Sequence, residues 1–261
     1  LWDGVLRALA RCGLGEFERL HIWRHLASGS GKFSVLGRDS GRDRLGWVTV
    51  VDDLTAQPGR VLEVEEEAQW LRAHRRHVVF ASMGGSSLSV RVVESVWPKP
   101  QDAPELHLMD STDPAAQLAL QQRLTGRQEP TVEELRAALE QTQLICVSKS
   151  GGTQETRSHL RWMETLYETV GLNPQDHIWL IADRGTVMAK EASLRRYLPP
   201  FRATNEPLSV QLDTQTDIGG RFSSPGTRVF LLPYALRVGG GLMDLLHDIR
   251  RAHRADAEAP H

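Results

Sequence analysis

The 261-residue sequence has few of the features that mark secreted, metal-binding, membrane or nucleic-acid-binding proteins. Its two cysteines, Cys12 and Cys146, are too few for a disulfide framework or a cysteine-rich zinc site. No run approaches the roughly 18 consecutive apolar residues of a membrane-spanning helix, and the N-terminus shows no signal-peptide pattern. The formal net charge of −2 provides no basic excess for nucleic acid or an anionic membrane. These absences predict a cytoplasmic protein with neither nucleic acid nor a membrane as its partner.

The composition suits a folded unit of enzyme size. With 40% hydrophobic and 25% charged residues, the chain can bury a substantial core as one large domain or two small ones. Residues 1–11 and 17–26 show weak helical spacing of apolar residues, and residues 27–43 are rich in Gly, Ser and charge. We therefore predict an N-terminal helical arm and linker over residues 1–60, followed by a single domain over residues 61–261.

Within that domain, short apolar runs alternate with longer helical patterns. This alternation predicts an α/β fold, a three-layer αβα sandwich with a mainly parallel sheet of about five strands. The predicted strands are residues 77–81, 105–109, 144–147, 177–182 and 201–204. The predicted helices are residues 61–76, 86–97, 114–124, 132–141, 154–170 and 186–194.

A loop rich in hydroxyl groups follows the apolar strand at residues 144–147. Its sequence is Ser148-Lys149-Ser150-Gly151-Gly152-Thr153, and a helical pattern begins directly after it. A helix start carries unpaired N–H groups and partial positive charge, so added hydroxyl donors suit a phosphate dianion. The same residues also suit a capped connection that binds nothing, since Ser and Thr are common caps and Gly is common in turns.

Three further segments carry groups with possible binding roles. Residues 82–88 follow another strand, with paired glycines and with two serines, Ser86 and Ser87, that start the next helix. Asp110-Ser111-Thr112-Asp113-Pro114 follows a third strand, where Asp113 alone could be a helix cap. In Asp217-Ile218-Gly219-Gly220-Arg221-Phe222-Ser223, the guanidinium of Arg221 could serve a phosphate or an enolate oxygen, or simply form a surface salt bridge. Ligands of open α/β sheets sit beyond the carboxyl ends of strands, which is where the three loops are expected.

Taken in order, these four segments resemble the glucose-6-phosphate isomerase family, and the chain looks like its first sugar isomerase (SIS) domain. The resemblance covers roughly residues 45–250 and is nearest to the isomerase part of bifunctional transaldolase/glucose-6-phosphate isomerases; it also includes Leu45-Gly46-Trp47 and Ala182-Asp183. It implies interconversion of glucose 6-phosphate and fructose 6-phosphate through a cis-enediolate. It implies a phosphorylated sugar as ligand, and either a homodimer or a longer polypeptide with two SIS domains.

The resemblance also assigns roles to individual residues. Arg221 matches the catalytic arginine that stabilises the enediolate. The positions that match substrate-binding residues are Gly85, Ser86, Ser148, Lys149, Ser150 and Thr153. No metal or cofactor is implied, and no Gly-x-Gly-x-x-Gly follows the first strand as a dinucleotide-binding fold requires.

The sequence departs from the family in two respects. The family's catalytic glutamate, histidine and lysine come after Gly-Gly-Arg, whereas only 40 residues follow Arg221, with no Gln and with Glu258 as the one Glu. We therefore expect a piece that lacks the catalytic base and the second SIS domain, or alternatively a non-catalytic module that senses phosphosugars. In addition, Ser224-Pro225-Gly226 inserts a proline after the motif, which affects how Arg221 is aimed.

Overall fold

The computed structural model describes residues 38–39, 42–43, 46–212, 218 and 225–258. Two short antiparallel strands, β1 (Arg38–Asp39) and β2 (Arg42–Asp43), precede the main body. Four strands then form one parallel sheet: β3 (His77–Ala81), β4 (Glu105–Met109), β5 (Thr142–Val147) and β6 (Ile178–Ile181). The α-helices are α1 (Gly46–Thr55), α2 (Pro58–His74), α3 (Gly85–Val96), α4 (Pro114–Thr125), α5 (Val132–Glu140), α6 (Gln154–Thr169), α7 (Val187–Arg195), α8 (Arg228–Val238) and α9 (Leu242–Glu258).

The parallel sheet has the strand order β4-β3-β5-β6. Every residue of β3, β5 and β6 is buried, as expected of strands covered by helices on both faces. Strand β4 lies at one edge of this order, and its residues are buried only in part. The predicted α/β class and the parallel sheet are thus confirmed, and so are the six helices predicted between residues 61 and 194.

The fifth strand predicted at residues 201–204 is wrong. Phe201 lies in a turn, and the bridge to the sheet forms further along the chain, where Leu208 pairs with Ile181. The Ala182 N–H donates to the Leu208 carbonyl at 2.9 Å. Residues 202–207 form no strand.

Helix α8 is buried on all sides and packs against α2 and α3. Pro233 lies inside it and removes the N–H that would bond the Val229 carbonyl one turn earlier. The Ser89 hydroxyl of α3 lies 2.8 Å from that same carbonyl oxygen and donates to it. A side chain of a neighbouring helix thus replaces the backbone bond that proline eliminates.

A buried ion pair connects the start of α8 to α2. Arg228 donates to both carboxylate oxygens of Glu67, at 3.0 and 3.2 Å, and both side chains are almost fully buried. A third bond runs from Arg228 to the Ser209 carbonyl at 2.6 Å. Burial raises the pKa of Glu67, while the neighbouring Arg228 opposes that rise. The pair fixes the segment around Ser209 relative to the helical layer.

Helix α1 belongs to the same core, although it lies within the predicted N-terminal arm. Val50, Val51 and Leu54 are buried, and a Cβ added to Gly226 would lie 2.5 Å from the Val50 side chain. The helices predicted at residues 1–11 and 17–26 lie outside the described residues, so the boundary at residue 60 stays a prediction.

Within the described part of the chain, no single helix is long and apolar enough to cross a membrane. Helices α8 and α9 meet the length and composition criteria only as a pair, and a bend of 119° separates them.

Candidate functional site

The strand order reverses beside β3, and this is where open α/β sheets bind ligands. β3 leads to β4 on one side, and the chain then returns to place β5 on the other side of β3. The register pairs Ala81 with Cys146, so the residues that leave β3 emerge next to those that leave β5. The loop at residues 82–84 and the hydroxyl loop (residues 148–153) therefore meet at the topological switch point.

Inside the hydroxyl loop, the side chains hold one another. The Ser148 and Thr153 hydroxyl oxygens lie 2.9 Å apart, and the Thr153 N–H donates to the Ser148 hydroxyl at 3.4 Å. Thr153 is the N-cap residue of α6, but its side chain makes no capping bond. The hydroxyl thus faces Ser148 instead of the helix, so Thr153 is not a side-chain cap of α6, and phosphate binding by this loop stays a prediction.

Ser150 is an exposed residue of the hydroxyl loop. Its hydroxyl oxygen accepts from the Gly152 N–H at 3.4 Å, which leaves the hydroxyl proton available as a donor. Its own N–H has no acceptor among the residues that the structure describes. Two donors of one residue therefore have no acceptor in the described part of the chain, next to the positive end of α6.

The first loop has a similar construction at the start of α3. Gly84 is the N-cap residue with φ 60° and ψ −126°, a conformation that favours glycine, and it provides no side-chain cap. The Ser86 hydroxyl donates to the Met83 carbonyl at 2.7 Å, and the Ser87 hydroxyl donates to the Gly84 carbonyl at 2.8 Å. Ser86 can therefore offer a ligand its backbone N–H more readily than its hydroxyl proton.

Buried polar atoms without partners accumulate at the same end of the sheet. The hydroxyls of Ser82 and Thr156 and the Nδ1 atom of His159 are buried and have no partner within the described residues. The His159 Nε2–H donates to the Ser111 carbonyl at 3.0 Å, which fixes the tautomer and leaves Nδ1 as an acceptor. Burial lowers the pKa of His159, so the ring is held neutral.

The loop after β4 contributes a cap and an anchor. Asp113 caps α4, because its Oδ1 accepts from the Ala115 N–H at 2.8 Å, and this confirms the capping interpretation of that residue. Through its carbonyl, Ser111 is bound to His159 on α6. This loop is thereby tied to the helix that begins at the hydroxyl loop.

Arg221 lies outside the described residues, so its predicted catalytic role stays a prediction. The structure does describe both sides of the segment that carries it. Gln211 and Thr227 form an antiparallel bridge, and the Arg228 N–H donates to the Val210 carbonyl at 3.0 Å. Between these ends, Ile218 is fully buried.

The structure brings the predicted substrate-binding residues together at the switch point. Gly85 and Ser86 begin α3, while Ser148, Lys149, Ser150 and Thr153 belong to the facing loop; their binding roles stay predictions.

Sequence reasoning gave no role to the residues that support the hydroxyl loop from behind. Asp183 and Thr186, in the loop after β6, contact it directly. The signals for them were their position after a strand of the same sheet and, for Asp183, the resemblance at Ala182-Asp183. Cys146 is fully buried, and burial raises the pKa of its thiol, so it is no nucleophile here.

These features define an open, parallel α/β domain with hydroxyl-rich loops at its switch point. None of the known protein-family models matches the chain. Curated proteins named glucose-6-phosphate isomerase do match: that of Cyanothece sp. is 30% identical over 170 residues, which cover 65% of this chain and 28% of the relative. That of Acaryochloris marina is 30% identical over 160 residues, which cover 61% of this chain and 26% of the relative. The chain thus spans about a quarter of the length of these relatives.

Solved structures agree on the fold. A glucose-6-phosphate isomerase from Chlamydia trachomatis superposes with a TM-score of 0.62 at 22% identity, over 85% of this chain and 40% of the other. A hypothetical protein from Thermus thermophilus superposes with a TM-score of 0.64 at 23% identity, over 99% of this chain and 52% of the other. By sequence, the chain is therefore similar to a part of these glucose-6-phosphate isomerases, and the solved structures share its fold.

Proposed function

We propose that this chain binds the phosphate of glucose 6-phosphate or fructose 6-phosphate in the hydroxyl loop. The observation that carries the proposal is the meeting of two hydroxyl-rich, glycine-containing loops at the switch point, each opening a helix without a side-chain cap. A phosphate dianion suits such a place, because unpaired helix N–H groups and hydroxyls all donate toward it. The names of the curated relatives support a phosphosugar over other anions.

In this proposal, residues of both loops contact the phosphosugar. Ser148, Ser150 and Thr153 contribute hydroxyl groups, and the N–H groups at the start of α6 complete the phosphate site. Gly85 and Ser86 contact the same ligand from the start of α3. The role proposed for Arg221 is to stabilise the enediolate that forms as a proton moves between C1 and C2.

The whole reaction belongs to the proposal as well. Aldose–ketose isomerisation needs a general base of raised pKa, and we assign that role to no residue of the described part. We accordingly expect this chain alone to bind phosphosugars without turning them over. An SIS-type domain that only senses phosphosugars would behave in the same way in a binding assay.

Thermal unfolding with and without fructose 6-phosphate tests the binding step. A ligand that binds only the folded state raises the melting temperature. At a ligand concentration of one hundred times Kd, the free energy of unfolding rises by about 2.7 kcal/mol. Ser150→Ala should weaken binding by about 10-fold, the equivalent of one hydrogen bond to a charged group. Ser158→Ala, which removes an exposed hydroxyl on α6, is the matched control and should bind as the wild type does.

An unchanged melting temperature at millimolar phosphosugar would refute the binding proposal. A coupled assay with fructose 6-phosphate then separates catalysis from binding alone, since turnover requires a base and binding does not.

A further inference from the structure

The loop after β6, residues 182–186, lies directly against the hydroxyl loop. The Asp183 N–H donates to the Lys149 carbonyl at 3.2 Å, and the Ser148 N–H donates to the Ile181 carbonyl at 3.0 Å. A Cβ added to Gly151 would lie 2.8 Å from the Thr186 Cβ atom. The hydroxyl loop is thus in contact with the end of β6 and with the loop after it at three successive places.

This contact decides where the Ser150 N–H points. In a planar trans peptide, the carbonyl of one residue and the N–H of the next point in opposite directions. Because the Lys149 carbonyl is directed to Asp183, the Ser150 N–H is directed away from Asp183. The neighbouring Gly151 N–H is already bonded to the Ser148 carbonyl at 3.0 Å.

Asp183 is itself held from two sides. Its carboxylate Oδ2 accepts from the Gln211 side-chain amide at 3.2 Å, and its carbonyl accepts from the Thr186 hydroxyl at 2.8 Å. Gln211 is buried and forms the bridge with Thr227, so the Asp183 side chain is fixed to the segment beside β6. This series of bonds runs from Gln211 through Asp183 to the hydroxyl loop.

A carboxylate next to a phosphate site is electrostatically unfavourable. If Asp183 acted on the ligand through its charge alone, its removal would tighten phosphate binding, because like charges repel. If Asp183 acts through its bonds, its removal would weaken binding. The two roles therefore predict opposite signs.

We propose that Asp183 is a positioning residue for the phosphate site, with Gln211 as its anchor. It holds the Lys149–Ser150 peptide in the orientation that aims the Ser150 N–H at the phosphate. This inference rests on the proposed function, since it concerns the geometry of that same site.

The test measures dissociation constants for fructose 6-phosphate and for inorganic phosphate. Asp183→Ala and Gln211→Leu should each raise the dissociation constants of both ligands by about 10-fold. This change corresponds to the loss of one hydrogen bond to a charged group. The double variant should lose little more than either single variant, because both break the same series of bonds. Asp183→Asn keeps an oxygen that can accept from Gln211 and should recover most of the affinity.

A spectroscopic readout separates positioning from general destabilisation. Phosphate should shift the backbone amide resonance of Ser150 in the wild type, and Asp183→Ala should abolish that shift while the spectrum stays folded. Glu206→Gln is the charge-matched control, since it removes one negative charge from an exposed pair with Arg184. That control should change affinity by no more than about 2-fold, as surface pairs contribute little.

The outcomes distinguish this inference from the function on which it rests. If the wild type binds phosphosugar and folded Asp183→Ala binds it equally or more tightly, the positioning role is refuted and the function stands. If the wild type binds neither ligand, both fall together. Should Asp183→Ala fail to fold, Gln211→Leu decides by the same criterion, because it leaves the Asp183 charge in place.

Discussion

Gly151 occupies a position at which any side chain would meet two obstacles. Its φ of 69° lies in the left-handed region, and an added Cβ would lie 2.8 Å from the Thr186 Cβ atom and 3.1 Å from the Met188 backbone nitrogen. Left-handed backbone costs a non-glycine residue about 1–2 kcal/mol before any clash. The loop conformation that orients Ser150 thus requires a glycine, which has no side chain, at position 151.

We predict that Gly151→Ala lowers the free energy of unfolding by about 1–3 kcal/mol and weakens phosphosugar binding at least 10-fold. Urea unfolding and ligand titration measure the two effects. Gly152→Ala is the control within the same loop, because Gly152 has no positive φ and nothing lies within 4 Å of its added Cβ. Equal losses in the two variants would contradict the role of the Thr186 contact.

At this scale, the sequence indicated which residues form the loop but not what holds it. Paired Gly and Ser residues after an apolar strand are a local signal, and local signals are visible in one sequence. Asp183 and Thr186 are distant along the chain from the loop, so only the register of β5 with β6 shows that they meet.

At the scale of elements, the Ser89 hydroxyl connects α3 to α8 by a buried hydrogen bond. We predict that Ser89→Ala lowers stability by about 1–2 kcal/mol, because the buried Val229 carbonyl then loses its donor. In the background of Pro233→Ala, the restored N–H can bond that carbonyl, so the same substitution should cost less. Urea unfolding of the four proteins gives the coupling directly.

Ser95→Ala provides the control for this cycle. Ser95 donates to the Val92 carbonyl of its own helix at 2.9 Å and is exposed, so its loss should change stability by less than about 0.5 kcal/mol. A cost of Ser89→Ala that is unaffected by Pro233→Ala would show that proline has no part in this contact.

Strands and helices of the sheet layer were predictable because their periodicities are strong. The apolar runs at β3, β5 and β6 and the Pro114 helix start are visible in the sequence itself. The prediction of a strand at residues 201–204 was wrong, since local propensity does not show that the chain pairs with β6 at Leu208 instead. Helix α8 is apolar all round and contains proline, so it carries no amphipathic signal.

At the scale of the whole molecule, buried and half-buried histidines make stability depend on pH. The pKa values of His77, His107, His159 and His177 are all lowered, chiefly by burial, and that of His107 falls to about 4. His77 and His107 also lie 3.0 Å apart across β3 and β4, so protonation of one disfavours that of the other.

The sign follows from proton binding. Below the unfolded pKa of about 6.5, the unfolded chain takes up protons that the folded chain refuses, so stability falls with falling pH. We predict a loss of about 2 kcal/mol from His107 alone between pH 7 and pH 5. The raised pKa of Glu67 acts in the opposite direction over the range above 4.5.

Denaturant unfolding as a function of pH tests this prediction. His107→Gln should flatten the profile between pH 7 and pH 5, whereas His247→Gln, which replaces an exposed histidine of α9, should leave it as it is. A profile that His107→Gln does not alter would contradict the assignment.

The strand order also dictates when the sheet can assemble during synthesis. β3 is the first strand of the parallel sheet to leave the ribosome, yet its two neighbours, β4 and β5, both follow it along the chain. The largely apolar β3 therefore stays unpaired until the helices and strands that follow it have been translated. Unpaired apolar strands are prone to aggregate. Slow translation between β3 and β5 should accordingly lower the yield of folded chain, and chaperones that shield apolar segments should restore it.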